Sequence, residues 1–249
     1  MTRLRFSVAL VLGAALATTA ACSSRVTPTA VSGPATTTTA ELPAPANLLA
    51  TVRSAAQSAS AVHVTGSFAD SGDHVSVDMQ LNKDGSASGT VGLGGSTFPL
   101  LVVDKVYYIQ FTRNVMANNG ISPSSAAGKV LLNKWVPSNA KGMDLGDLVT
   151  SLKPATDYDT FIPMIFDQIK SANDTPKPTG TDTVNGIPVQ VYTFSDNSEA
   201  DVATAAPHYL VELAEPPSEG KGKLDFTGWD QPVKVSAPPA KEIFAAPSS

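Results

Sequence analysis

The sequence predicts an α+β domain organised around an antiparallel sheet. Between residues 62 and 111, short apolar segments alternate with turn residues, and within 75–81 every second residue is apolar. That period is typical of a strand with one buried face. The connections are too short to hold crossover helices, which favours a meander of hairpins. Helical patterns lie before and after this region, so helices and strands are segregated along the chain.

The first elements follow from the spacing of their apolar residues. Leu48, Val52 and Ala56 belong to an apolar stripe at helical spacing, so the domain is expected to open with a helix. Residues 98–103 and 106–111 are apolar at both alternating sets of positions, which is typical of strands covered on both faces. A further strand is predicted over residues 130–136.

Two helices are predicted in the middle of the chain. Asp144 is expected to cap the first, and Pro154 is expected to end it. The second has apolar residues at the spacing of one helix face, namely Tyr158, Phe161, Ile162, Ile165, Phe166 and Ile169. This face either packs in a core or lines a ligand cavity, because both require the same apolar residues.

The C-terminal third returns to a strand pattern. Residues 181–184 and 187–194 flank Asn185-Gly186, the favoured signal for a two-residue hairpin turn. Residues 209–214 and 222–227 are predicted to form a second hairpin.

The first 21 residues predict an export signal. Arg3 and Arg5 precede an apolar stretch at residues 6–16, which is too short to span a membrane, and small residues follow it. The next residue is Cys22, the only cysteine of the chain. This arrangement resembles the lipobox of bacterial lipoproteins, in which the cysteine is acylated and becomes the mature N-terminus. The resemblance implies a lipid anchor at Cys22 on the extracytoplasmic, periplasmic side of the cell membrane.

The remaining chain divides by composition. Residues 22–46 contain mainly Ser, Thr, Ala and Pro after the cysteine, and such a segment is expected to form a flexible tether. Residues 47–243 are expected to form a single domain, followed by a disordered tail at 244–249. With Cys22 acylated no disulfide can form, so the apolar core alone must hold the domain together.

Charge and motif content narrow the classes of function. The chain carries 17 Lys and Arg against 22 Asp and Glu, which makes a nucleic-acid partner improbable. His63, His74 and His208 are far apart and lack metal-ligand spacing, and there is no GxSxG pentapeptide. The glycine-rich residues 92–96 lack the lysine of a phosphate-binding loop. We therefore expect a protein without enzymatic activity, metal or cofactor.

The order of elements resembles that of the LppX/LprG-type lipoproteins of mycobacteria and other actinobacteria. The resemblance is carried by Cys22 and by three segments, LVVDKVYYI (101–109), TVNGIPVQVYTF (183–194) and LDFTGWDQPVKVSAPP (224–239). It implies a strongly curved antiparallel sheet, a half-barrel of the LolA/LppX type, with helices covering the concave side. It also implies an apolar cavity for acyl chains and lipid transport through the cell envelope, in some relatives alongside a membrane exporter.

The expected ligand is a lipid or lipoglycan with two or three acyl chains. The residues expected to line its cavity are apolar positions of the predicted strands and of the amphipathic helix: Val75, Val77, Met79, Leu100, Val102, Tyr108, Phe161, Ile162, Ile165 and Phe166. The alternative is an envelope sensor or assembly lipoprotein that has no ligand cavity.

Overall fold

The computed structural model describes residues 42–70, 73–93, 95–169, 175–216 and 222–245. The predicted export signal, Cys22 and the predicted tether up to residue 41 lie outside these ranges, as do residues 246–249 of the predicted tail. Within the described residues, none of the helices combines the length and the apolar character needed to cross a membrane.

An open, strongly curved sheet of 11 antiparallel strands forms the scaffold. Its spatial order is β6-β5-β4-β3-β2-β1-β11-β10-β9-β8-β7, so the first and last strands pair in the middle. The strands are β1 (Ala61–Asp70), β2 (Asp73–Asn82), β3 (Ala87–Leu93), β4 (Ser96–Val103), β5 (Val106–Gln110), β6 (Trp135–Pro137), β7 (Lys177–Val184), β8 (Ile187–Thr193), β9 (Glu199–Ala203), β10 (Leu210–Ala214) and β11 (Lys223–Thr227). The predicted half-barrel of the α+β class is confirmed.

Helices cover the concave face of this sheet. They are α1 (Leu48–Ser58), α2 (Arg113–Asn118), α3 (Ala126–Leu131), α4 (Gly146–Thr156) and α5 (Tyr158–Gln168). Helix α5 packs between α1 and α4, α4 contacts β2 and β3, and α2 contacts β4. The hydroxyl of Tyr158 donates a hydrogen bond to the carbonyl oxygen of Ala56 at 2.5 Å, and this bond fixes α5 to α1 in the interior.

Two glycines allow the sheet to bend. Gly66 in β1 and Gly89 in β3 have φ angles of 138° and 147°, which L side chains rarely adopt. A Cβ atom at Gly66 would collide with the carbonyl oxygen of Lys223, and one at Gly89 would collide with that of Asp78. Glycine inside a strand is typical of such sharp bends and close backbone approaches.

Several local predictions were wrong. The predicted strand 130–136 is instead the end of α3 followed by the short β6, because Ser125 caps a helix and its hydroxyl accepts a hydrogen bond from the N–H of Gly128. Helix α4 continues through Pro154 to Thr156. Strand β9 was not predicted at all.

The C-terminal residues pack along the edge of the sheet. Ile243 forms a bridge with Trp135 of β6, and the backbone N–H of Phe244 donates to the carbonyl oxygen of Trp135 at 2.8 Å. The side chain of Phe244 packs against the main apolar cluster. These contacts attach Phe244 to β6 and to the core.

Candidate functional site

Cross-strand rows on the concave face bring most of the predicted cavity residues together. The register places Met79 beside Gly89, and Gly89 beside Leu100. Nine of the ten candidates belong to a single buried cluster with exposures of 0–7%, namely Val75, Val77, Met79, Leu100, Val102, Phe161, Ile162, Ile165 and Phe166. Strands β2 and β4 thus face α5 across an apolar interior.

The tenth candidate, Tyr108, lies on the opposite face of the sheet. In β5 the side chains of Tyr107 and Ile109 are buried on the concave side, whereas Tyr108 is half-buried on the convex side. The prediction for Tyr108 was wrong because residues 106–111 are apolar or aromatic at both sets of alternating positions. The expectation that β4 and β5 are covered on both faces was wrong for the same reason, since only alternate residues in them are fully buried.

The interior between the sheet and α5 is filled by these side chains. Exposures this low are those of a close-packed core, in which each side chain contacts its neighbours. Of the nine predicted cavity residues in this cluster, only Val102 also lines the pocket described next.

A pocket of about 1130 Å³ opens at one end of the half-barrel. Four segments surround it: the β2–β3 turn, the β4–β5 turn, helix α4 with Asp157 directly after it, and residues 232–235. Val102, Tyr107 and Val149 contribute apolar side chains to its lining. Its volume is slightly above the range of about 300–1,000 Å³ that is typical of small-molecule sites.

The side chain of Asn82 holds one wall of this pocket in place. Asn82 is only 3% exposed, and its Nδ2 donates to the carbonyl oxygen of Val233 at 2.7 Å while its Oδ1 accepts from the N–H of Val233 at 3.2 Å. The side-chain amide of Asn82 thus forms both hydrogen bonds that the backbone of a neighbouring strand would form with Val233. We call residues 232–235 the strap, because they are fixed at this point and cross the end of the sheet.

Charged side chains surround the pocket. Three lysines come from three different elements, Lys105 from the β4–β5 turn, Lys153 from α4 and Lys234 from the strap. We call them the rim lysines. Asp84 also lines the pocket, and hydrogen bonds from the hydroxyl and the backbone N–H of Ser86 lower the pKa of its carboxyl group.

The convex face carries a row of acidic residues. Asp201, Glu212 and Asp225 lie side by side on β9, β10 and β11, and the ammonium group of Lys223 contacts Glu212 at 2.9 Å and Asp225 at 3.3 Å. Burial, together with the neighbouring charge of Glu212, raises the pKa of Asp201 to about 6.

The histidines do not form a metal site among the described residues. His63 contacts Asp78 on the convex face, with 2.8 Å between Nε2 and Oδ1. His208 is buried, and its Nδ1 lies 3.0 Å from the carbonyl oxygen of Ala203. The side chain of His74 lies outside the described part of the structure. No group of three His, Cys, Asp or Glu residues in the described ranges is placed to hold a metal ion.

None of the family models and none of the curated proteins matches the sequence. Among solved structures, the lipoprotein LppX of Mycobacterium tuberculosis is similar at 15% identity over 77% of this chain and 98% of LppX, with a TM-score of 0.45. The MucA/MucB complex of Pseudomonas aeruginosa is similar at 12% identity over 82% of this chain and 61% of the matched chain, with a TM-score of 0.30. At these levels of similarity, function has to be argued from the residues of the chain itself.

Sequence reasoning missed the pocket almost completely. Tyr107, Val149, the strap and the rim lysines were not among the candidates. Tyr107 could have been found by extending the alternation of β4 through the two-residue turn at 104–105, which pairs Val103 with Val106. The other residues come from segments far apart in the sequence, and no local pattern brings them together.

Proposed function

We propose that the protein is a membrane-anchored lipoprotein that binds the acyl chains of a lipid or lipoglycan and carries them through the periplasmic space. The chains, two or three of them, would lie between the concave face of the sheet and helices α4 and α5. A membrane exporter that supplies or receives the cargo belongs to the same proposal. No catalytic step is part of it.

The observation that carries the proposal is the pocket at the end of the half-barrel. Val102 and Tyr107 line this pocket, and both also belong to the buried cluster on the concave face. An acyl chain that enters beside α4 would therefore meet a continuous apolar interior. Each methylene transferred from water into such an interior contributes about 0.8 kcal/mol.

Binding by this route requires α4 and α5 to move away from the sheet. All of these residues are buried, but Val102 lines the pocket, whereas Ile162, Ile165 and Phe166 do not. The inner part of the site must therefore form when lipid enters and replaces contacts between side chains. Apolar contacts of this kind are not directional, so acyl chains can take the place of neighbouring side chains.

The closed interior also supports a second candidate, an envelope sensor or assembly lipoprotein without a ligand cavity. In that case the nine buried candidates form a permanent core, and the pocket at the rim has no acyl ligand.

Organic extraction and mass spectrometry of the protein purified from an actinobacterial host distinguish the two candidates. A carrier is expected to release lipid in a fixed molar ratio, beyond the acyl groups attached to its own N-terminus. Detection of only the N-terminal acyl groups would favour the interaction protein.

Anchoring is proposed to depend on Cys22, which lies outside the described residues. Cys22→Ala is expected to abolish incorporation of a fatty-acid analogue during metabolic labelling and to leave an unprocessed precursor or a released protein. Ser23→Ala, which keeps the thiol, is the matched control. Equal labelling of Cys22→Ala and the wild type would contradict the anchor.

A further inference from the structure

We propose that the rim lysines form a binding site for a phosphate-type anion and that this anion is the headgroup of the bound lipid. The inference rests on the proposed function, because it takes the acyl chains to lie beneath α4 and α5. It adds the chemical class of the ligand, an anionic phospholipid or a lipoglycan with a phosphate next to its acyl chains.

The first support is the convergence of three cations on one pocket. Lys105, Lys153 and Lys234 are all exposed and all line the pocket. Among the described residues, the ion-paired cations are Arg53, His63, Lys83 and Lys223, and the rim lysines make no ion pair. Each ammonium group offers three N–H donors, and phosphate oxygens are acceptors that lysine binds readily.

The carboxylates at the pocket do not neutralise these lysines by direct contact. Oδ1 of Asp84 accepts hydrogen bonds from the N–H and hydroxyl of Ser86. Oδ1 of Asp157 accepts hydrogen bonds from the N–H and hydroxyl of Thr160 at the start of α5. Asp104 is exposed in the β4–β5 turn. The acids at the pocket thus include two that stabilise local turns, while the ammonium groups stay available to a ligand.

A second support is the backbone at Lys105. Asp104 and Lys105 have φ angles of 50° and 64°, and they form a two-residue turn between the paired residues Val103 and Val106. Glycine adopts this conformation at no steric cost, and a lysine at the second position is strained. Strained residues cluster at binding sites, so a strained lysine at the pocket is consistent with a role in binding.

The pocket also has the polarity that an anionic lipid requires. The rim lysines are exposed, whereas Val102 and Tyr107 are buried and Val149 is half-buried. A headgroup held at the lysines would place the glycerol-linked acyl chains next to the apolar side chains.

The test compares two lipids that differ by one phosphate group, dioleoyl phosphatidic acid and dioleoylglycerol. Each is used to displace a fluorescent fatty acid from the full-length, delipidated protein in a non-ionic detergent. We expect phosphatidic acid to displace the probe at an at least about ten-fold lower concentration, since each lysine near an anionic surface contributes to attraction. This preference should shrink as salt is raised.

Two triple variants with the same change in net charge show whether the preference for phosphatidic acid depends on the rim lysines. The triple variant Lys105→Gln, Lys153→Gln, Lys234→Gln should lose the preference for phosphatidic acid while its affinity for dioleoylglycerol stays unchanged. The control Lys129→Gln, Lys141→Gln, Lys177→Gln removes three exposed lysines that do not line the pocket, and it should keep the preference. Lys105→Gly should raise the melting temperature by relieving the turn and still weaken phosphatidic acid binding, which separates a binding role from a structural one.

The failures of the two proposals can be told apart. If both lipids displace the probe equally well and the triple variant behaves like its control, the headgroup site is wrong and the acyl-chain site stands. If neither lipid displaces the probe, the proposed function fails and the inference fails with it. If inorganic phosphate alone competes with phosphatidic acid at similar concentrations, the pocket binds free phosphate compounds and the headgroup assignment is overturned.

Discussion

The concave face of the sheet buries large apolar side chains beneath helices, whereas the convex face places acidic side chains next to one another. Met79 and Leu100 lie in a cross-strand row of the concave face and are fully buried. On the convex face, Glu212 lies between Asp201 and Asp225, and ion pairs of Lys223 with Glu212 and Asp225 offset part of their repulsion. Like charges directly opposite each other destabilise a sheet.

This difference indicates that most of the stability of the domain comes from the concave face. Burial of apolar side chains between the sheet and the helices supplies the favourable free energy, and the acidic row reduces it. The convex face also buries a second, smaller apolar cluster of Val189, Ala203 and Val211. A substitution should therefore have a large effect on the concave face and a small or even opposite effect on the convex face.

The largest expected effect is that of Phe161→Ala on the concave face. Phe161 is fully buried in α5, so the truncation should lower the free energy of unfolding by about 3–5 kcal/mol. Tyr108→Ala is the control, because it removes an aromatic side chain of similar size from the convex face and should cost about 1 kcal/mol or less. Urea denaturation measures both, and equal losses in the two variants would contradict the assignment of the faces.

A smaller, stabilising effect is expected for Asp201→Asn on the convex face. The pKa of Asp201 is raised to about 6 in the folded protein, so the folded state binds its proton more tightly than the unfolded state does. The contribution of Asp201 to stability is therefore fully present below about pH 4 and is lost as the pH rises through 6. At pH 8 the variant should be more stable than the wild type by about 1–3 kcal/mol.

The pH dependence provides the check on this prediction. The advantage of Asp201→Asn should shrink as the pH falls to 4 and disappear near about pH 3, where Asp201 is protonated in both the folded and the unfolded state. Glu199→Gln removes an exposed neighbouring charge and should change stability by a few tenths of a kcal/mol. An advantage of Asp201→Asn that is the same at pH 4 and pH 8 would rule out the ionised carboxylate as its cause.

The sequence predicts those parts of the structure in which the interacting residues are close together along the chain. Alternation within β2 and the helical period of α5 identified the buried faces that contain Met79 and Ile165, because both patterns are local. Tyr108 was misassigned because Tyr107 beside it offers the same side chain to the other face. Strand β9 was missed because Asp201 is a buried carboxylate in a position where an apolar residue would reveal a strand.

Local sequence patterns did not predict the pocket, because its lining residues are far apart in the sequence. Asn82 and Val233 are 151 positions apart, and only the pairing of the first and last strands brings the strap to the β2–β3 turn. The same long-range pairing places Lys234 near Lys105 and Lys153. The sequence therefore predicted the apolar interior and did not predict its opening.

The central claim, that acyl chains enter the interior through this pocket, is tested most directly by Val102→Trp. Val102 borders the pocket, so the larger side chain has space and should leave the melting temperature of the delipidated protein nearly unchanged. It should exclude about two or three methylene groups of the ligand and lower the affinity for lipid by one to two orders of magnitude.

Ile165→Trp is the matched comparison, because Ile165 is buried away from the pocket. The added volume has no space there and should cost about 1–3 kcal/mol of stability. Delipidated samples are required for the melting curves, since bound lipid itself raises the melting temperature. The account predicts that Val102→Trp melts like the wild type and purifies with at most about a tenth of its lipid. If Val102→Trp melts as low as Ile165→Trp and still carries the full amount of lipid, acyl chains do not bind at this pocket.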